Sequence, residues 1–180
     1  MRNNTWLVLT LSRGYAAARF AAVAKEFWGG VLPHGNWLRD TASTGAPRDS
    51  LGVLRVIQAV GLPIVAGTDV AGGGSLIWRL PPGFALHNEL AIYVAEGLTP
   101  LNALQSATIN PAKMWLATDS LGTVAPGKLA DLVLLDADPL ADITNTTTVR
   151  AVVANGRYFD RAALDRLLTE VQAKAKIGAP

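Results

Sequence analysis

The sequence predicts an α/β fold, in which parallel strand–helix units give way to a small antiparallel β module and a C-terminal helix. Three observations carry this. Short apolar runs rich in Val and Ile, Trp6–Leu11 and Leu62–Thr68, read as strands buried on both faces, the habit of parallel sheets. Between and after them lie Ala-rich and amphipathic stretches that stop at glycine, as helices do. Beyond Leu116 the texture changes to short β-rich runs separated by turn residues.

The N-terminal elements follow in order. Trp6–Leu11 is expected to be a strand. Tyr15–Trp28 places Ala16, Phe20, Val23 and Phe27 at helical spacing, with Gly29-Gly30 as the stop. Residues 31–48 form a loop rich in Gly, Pro, Asn and Thr that carries His34, Trp37 and Asp40. Residues 49–60 read as a helix closed by Gly61, and a strand then runs toward Asp69. Phe84–Glu96 is a further helix, stopped by Gly97. Thr99-Pro100 combines an N-cap with a proline at the first helical position, and Asn110-Pro111 starts a short helix in the same way.

In the C-terminal part, Leu121–Val124, Ala130–Leu135 and Val149–Ala154 read as strands. Asn155-Gly156 is a two-residue hairpin signal leading into Arg157-Tyr158-Phe159. Arg161–Lys176 is an amphipathic helix with Leu164, Leu167, Leu168 and Val171 in one stripe. The expected division is residues 1–118 and residues 119–180. A closed eight-stranded α/β barrel needs roughly 250 residues, more than the 180 of this chain.

Composition narrows the function. Half of the residues are hydrophobic, 17% are charged and the formal net charge is +2, enough for a domain with a real core. The isoelectric point near 9.2 reflects that small excess. With no Lys/Arg cluster, nucleic-acid binding is not expected. No cysteine is present, which excludes disulfides and thiolate metal sites. No apolar run reaches the ~18 residues of a membrane span, and no signal peptide is recognisable. The expected setting is cytoplasmic, without membrane.

Asp69 is the leading candidate for chemistry: an apolar strand ends in Ala66-Gly67-Thr68-Asp69 and then Gly72-Gly73-Gly74. Ligands and catalytic groups of α/β folds gather at the carboxyl ends of strands. A strand-end Asp also commonly caps the next turn. His87 is a second candidate, and His34 and Ser75 are candidate substrate-binding residues. Ser75 with His87 and Asp69 could form a nucleophilic set, but no Gly-x-Ser-x-Gly elbow is present. The glycines lack phosphate-loop spacing. Asp131, Asp136, Asp138 and Asp142 read as turn and strand-end chemistry.

From Ala66-Gly67-Thr68-Asp69, through Leu86-His87-Asn88-Glu89-Leu90, Glu96-Gly97-Leu98-Thr99-Pro100 and Ala107-Thr108-Ile109-Asn110-Pro111-Ala112, to Gly127-Lys128-Leu129-Ala130-Asp131-Leu132, the chain resembles the amidohydrolase superfamily, nearest its imidazolonepropionase-like branch. Asp138-Pro139-Leu140 and Val153-Ala154-Asn155-Gly156 continue the match, which runs from about residue 62 to 160. The resemblance implies a partial (β/α) barrel segment, comprising the last strand–helix units, followed by part of a β-sandwich. It implies a hydrolase of amide, ester or cyclic C–N bonds, dependent on a divalent metal, zinc foremost. Asp69 would be metal ligand and proton shuttle on the last barrel strand, with Trp6–Leu11 the strand before it. Family members carry several further histidine ligands, whereas this chain has two histidines and neither matches those positions. A metal-independent weak esterase using Ser75, His87 and Asp69, or a non-catalytic fragment that forms homo-oligomers, are the alternatives. A small-molecule substrate and self-association are the partners implied.

Overall fold

The computed structural model describes residues 5–11, 50–68 and 83–177. Among them are five strands and five α-helices: β1 (Leu7–Leu9), α1 (Ser50–Ala59), β2 (Ile64–Ala66), α2 (Phe84–Ala95), α3 (Pro100–Ala107), α4 (Ile109–Met114), β3 (Leu132–Leu135), β4 (Val149–Ala154), β5 (Arg157–Phe159) and α5 (Arg161–Ile177), with a 3₁₀ turn at Ile143–Thr147. The expected Tyr15–Trp28 helix and the loop after it lie outside the described residues.

Strands β1 and β2 are parallel neighbours, with Leu7 opposite Ile64, Val8 opposite Val65 and Leu9 opposite Ala66. In β1 the side chains alternate: Leu9 is buried and Val8 is exposed on the other face. The buried side is covered by the helices. Leu9, Leu54, Ile57, Ile64, Leu90, Tyr93, Leu98, Ala103 and Ile143 form one core cluster. Helix α2 runs through it and buries Ala85, Glu89, Leu90, Ile92 and Tyr93, more of its circumference than a surface helix would.

The helix ends follow their sequence signals. Gly97 has φ 104°, which lets its N–H reach Val94 O at 3.0 Å and the N–H of Leu98 reach Tyr93 O at 2.9 Å. Gly61 closes α1 with the same pair of bonds, to Gln58 O and Ile57 O, each 3.1 Å. Thr99 caps α3, its hydroxyl accepting from the Asn102 N–H at 3.2 Å.

The second sheet is antiparallel, in the order β3-β4-β5. Asn155 and Gly156, with φ 49° and 73°, form the tight turn between β4 and β5. Leu121–Val124 is not a strand: residues 118–123 are turns and bends. Lys128 Nζ holds this stretch by donating to Thr118 O at 2.7 Å and Thr123 Oγ1 at 2.5 Å. The stripe on α5 is also not core, since Leu167, Leu168 and Val171 are exposed. Ile143 is one link between the two parts, carried by the 3₁₀ turn into the cluster around α2.

Candidate functional site: the carboxyl ends of the parallel strands

The two parallel strands end side by side. The Gly67 N–H, one residue past β2, donates to Leu9 O at 3.0 Å and makes the last rung between them. The strands approach so closely there that a Cβ on residue 67 would lie 2.6 Å from Val8 Cγ1 and 3.3 Å from Leu9 O. Glycine is therefore a packing requirement at this position.

Two polar side chains of α2 reach the same place. The Tyr93 hydroxyl donates to Leu9 O at 2.9 Å. One turn earlier, Glu89 Oε1 accepts from the Leu11 N–H at 2.5 Å. Both residues are fully buried, and buried polar groups persist when hydrogen-bonded. Burial, and then the charge of Glu89, push the Tyr93 phenol far above its ordinary range. It is a protonated donor at every working pH. From the far side, Asn110 Nδ2 donates to Ile64 O at 2.9 Å and ties α4 to β2.

His87 lies just before this pair on α2. Its ring is 6.2 Å from that of Phe84, tilted by 60°. Burial lowers its pKa below the ordinary 6.5, so the imidazole is neutral at pH 7. Its Nδ1 is buried without a hydrogen-bond partner. Asp69, Ser75 and His34 lie outside the described residues, so of the candidates read from sequence only His87 has a place here. Tyr93 carries no sequence signal of its own, and Glu89, a conceivable partner of His87 and Asp69 at a metal, is set against that role by its i, i+2 spacing from His87, which puts the two on different helix faces. The i, i+4 spacing of Glu89 and Tyr93 puts them on one helix face, which is the signal that could have found them.

Among the described residues no group of three or more His, Asp or Glu could hold a metal ion. Three or more protein ligands are what a catalytic zinc requires. The described residues do not fit a divalent metal by themselves.

The sequence profile of the amidohydrolase family matches residues 34–158. Among curated proteins, an imidazolonepropionase of Pyrobaculum arsenaticum is 43% identical over 90 residues, which is 50% of this chain and 20% of the relative. An adenine deaminase of Rubrobacter xylanophilus is 43% identical over 65 residues, 35% of this chain and 11% of the relative. Among solved structures, a Xaa-Pro dipeptidase with bound methionine superposes at TM-score 0.62 and 28% identity, over 88% of this chain and 35% of that one. The chain thus spans about a third of that structure and a smaller part of these curated relatives. The matched span takes in the carboxyl end of β2, helices α2–α4 and the antiparallel sheet: this chain belongs to the amidohydrolase family.

Proposed function

We propose that the chain is part of a hydrolase that attacks amide, ester or cyclic C–N bonds with water, at the carboxyl ends of β1 and β2. The family membership is the observation that carries this reading. Imidazolonepropionase, adenine deaminase and dipeptidase relatives point together to carbon–nitrogen bonds in small molecules. In this reading β1 and β2 are the last two strands of a (β/α) barrel, residues 1–118 are the barrel-derived segment, and 119–180 are the β-sandwich part.

Asp69 follows Thr68 directly in sequence, and a carboxylate there would accept the proton of the attacking water. Asp69 is also the one group the reading assigns to a divalent metal, zinc foremost; the described residues supply no full set of ligands by themselves. His87 is the second proposed residue. A neutral imidazole with an unpartnered nitrogen suits a hydrogen bond to substrate better than a general acid's proton donation. His34 and Ser75 remain proposed substrate contacts.

The test is turnover of N-acyl amino acids, Xaa-Pro dipeptides and cyclic ureides by the purified chain, with metal content measured in parallel. Asp69→Asn is expected to lower kcat about a hundredfold, the usual order for loss of an acid–base group. Wild-type rates in that variant would remove Asp69 from the chemistry. A second reading, self-association without catalysis, is favoured by Val8 exposed on the sheet and by the exposed stripe of α5. Sedimentation separates the two: a monomer that turns over substrate excludes it.

A further inference from the structure

The bonds at the strand ends have a particular arrangement. The ladder between β1 and β2 finishes at the Gly67 N–H and Leu9 O. Beyond it, the Leu11 N–H has no neighbouring strand to donate to among the described residues, and it is taken by Glu89. Leu9 O accepts twice, from Gly67 and from Tyr93, which uses both lone pairs of that carbonyl. Glu89 and Leu11 are 78 residues apart, and Tyr93 and Leu9 are 84 apart. Five groups on three elements, joined by three hydrogen bonds, thus converge within two residues of where each strand leaves the sheet. A side chain this deeply buried would be an unusual choice for mere packing, because a leucine would fill the space without a charge to satisfy.

We infer that Glu89 and Tyr93 are positioning residues, which clamp the carboxyl ends of β1 and β2 and so fix the direction in which the chain proceeds toward Asp69. The inference rests on the hydrolase reading for its catalytic consequence and on geometry alone for the clamp. Helix α2 is the rigid bar of this device. Its two polar side chains bond to backbone at the strand ends and act through them.

Amide hydrogen exchange on the full chain tests the clamp. In Tyr93→Phe the Leu11 and Gly67 amides are expected to exchange about tenfold faster, while the amides of α1 and α5 stay within about threefold. Glu89→Gln keeps an oxygen acceptor at the same place and should leave Leu11 protection nearly intact, whereas Glu89→Leu should lose it. Uniform acceleration of all amides in Tyr93→Phe, or no change at Leu11 and Gly67, would overturn the clamp. Should Glu89→Leu fail to fold, the Tyr93→Phe and Glu89→Gln pair still decides. Kinetics then test the consequence. Tyr93→Phe should lower kcat about tenfold with KM little changed, and add nothing in an Asp69→Asn background; additive losses would refute action through the strand end. If Asp69→Asn alone changes nothing, the hydrolase reading fails while the exchange result still decides the clamp.

Discussion

The parallel pair with its helices and the antiparallel sheet with α5 solve the same problem by different means. Around β1 and β2, side-chain hydrogen bonds are buried or half-buried and join residues 46, 78 and 84 apart. Around β3, β4 and β5 they are mostly exposed and mostly local. Asp142 accepts from Thr144 N at 2.9 Å, Asp138 accepts from Leu140 N at 2.8 Å, and Arg161 pairs with Asp165 one turn on. Asp131 spans further, accepting from Asn155 N at 2.7 Å, and is exposed. A buried bond is costly to break because its partner is stranded without water. An exposed one is replaced by water at little loss. The first region is therefore built to fix positions and the second to fix turns.

The largest expected effect comes from the core of the first region. Leu54 is fully buried, and Leu54→Ala should lower unfolding free energy by about 2–5 kcal/mol, read by denaturant titration. Truncating the exposed Val133 of β3 in the same way should be near neutral; equal losses would erase the contrast.

Next is the crowded strand end. Gly67→Ala should cost about 1–3 kcal/mol, as overpacking does, because its Cβ meets Val8 Cγ1 at 2.6 Å. Adding Val8→Ala should recover part of that loss, with the Leu9 O contact retaining the rest. Strict additivity of the two changes would show that the approach to Val8 is not the cause.

Titration gives a subtler contrast. The Tyr93 phenol is raised far above its ordinary 10.0 by burial and by Glu89. Above pH 10 the unfolded chain gives up that proton and the folded one keeps it, so stability is present below pH 10 and falls as pH rises beyond it. The fall should be shallower in Tyr93→Phe. His87 works on the other side. Its pKa is lowered, so below pH 6.5 the unfolded chain binds a proton first and stability declines with acidification. Identical pH profiles for wild type and the His87→Gln and Tyr93→Phe variants would contradict both.

The smallest effect belongs to the second region. Arg150 and Asp136 form an exposed pair at 2.5 Å, and Arg150→Ala should leave the unfolding midpoint where it was. A clear drop would mean that the antiparallel sheet relies on charge pairing after all.

Much of this architecture was legible residue by residue. Gly61 and Gly97 close helices, Thr99-Pro100 opens one, and Asn155-Gly156 turns a hairpin, because each signal is a local conformational demand. Where the sequence misled, a non-local partner decided. Leu121–Val124 is apolar enough for a strand, yet Lys128 and the tight seat of Gly122 against Ala112 hold it in turns. The stripe on α5 has ideal spacing, but spacing cannot say whether a surface exists to receive it. Ile143-Thr144-Asn145 shows no period at all and still supplies a core side chain. The site was harder still. Nothing inside Leu86-His87-Asn88-Glu89-Leu90 points to the partner of its glutamate, which lies 78 residues earlier.

Ile143 gives the C-terminal module a role that its exposed sheet does not suggest. It acts as a stopper pressed into the flank of α2. A chain ending at residue 142 would open a hydrophobic hole beside the same helix that carries Glu89 and Tyr93. Any foreign module grafted in place of β3–β5 would need to bring its own aliphatic plug to that spot.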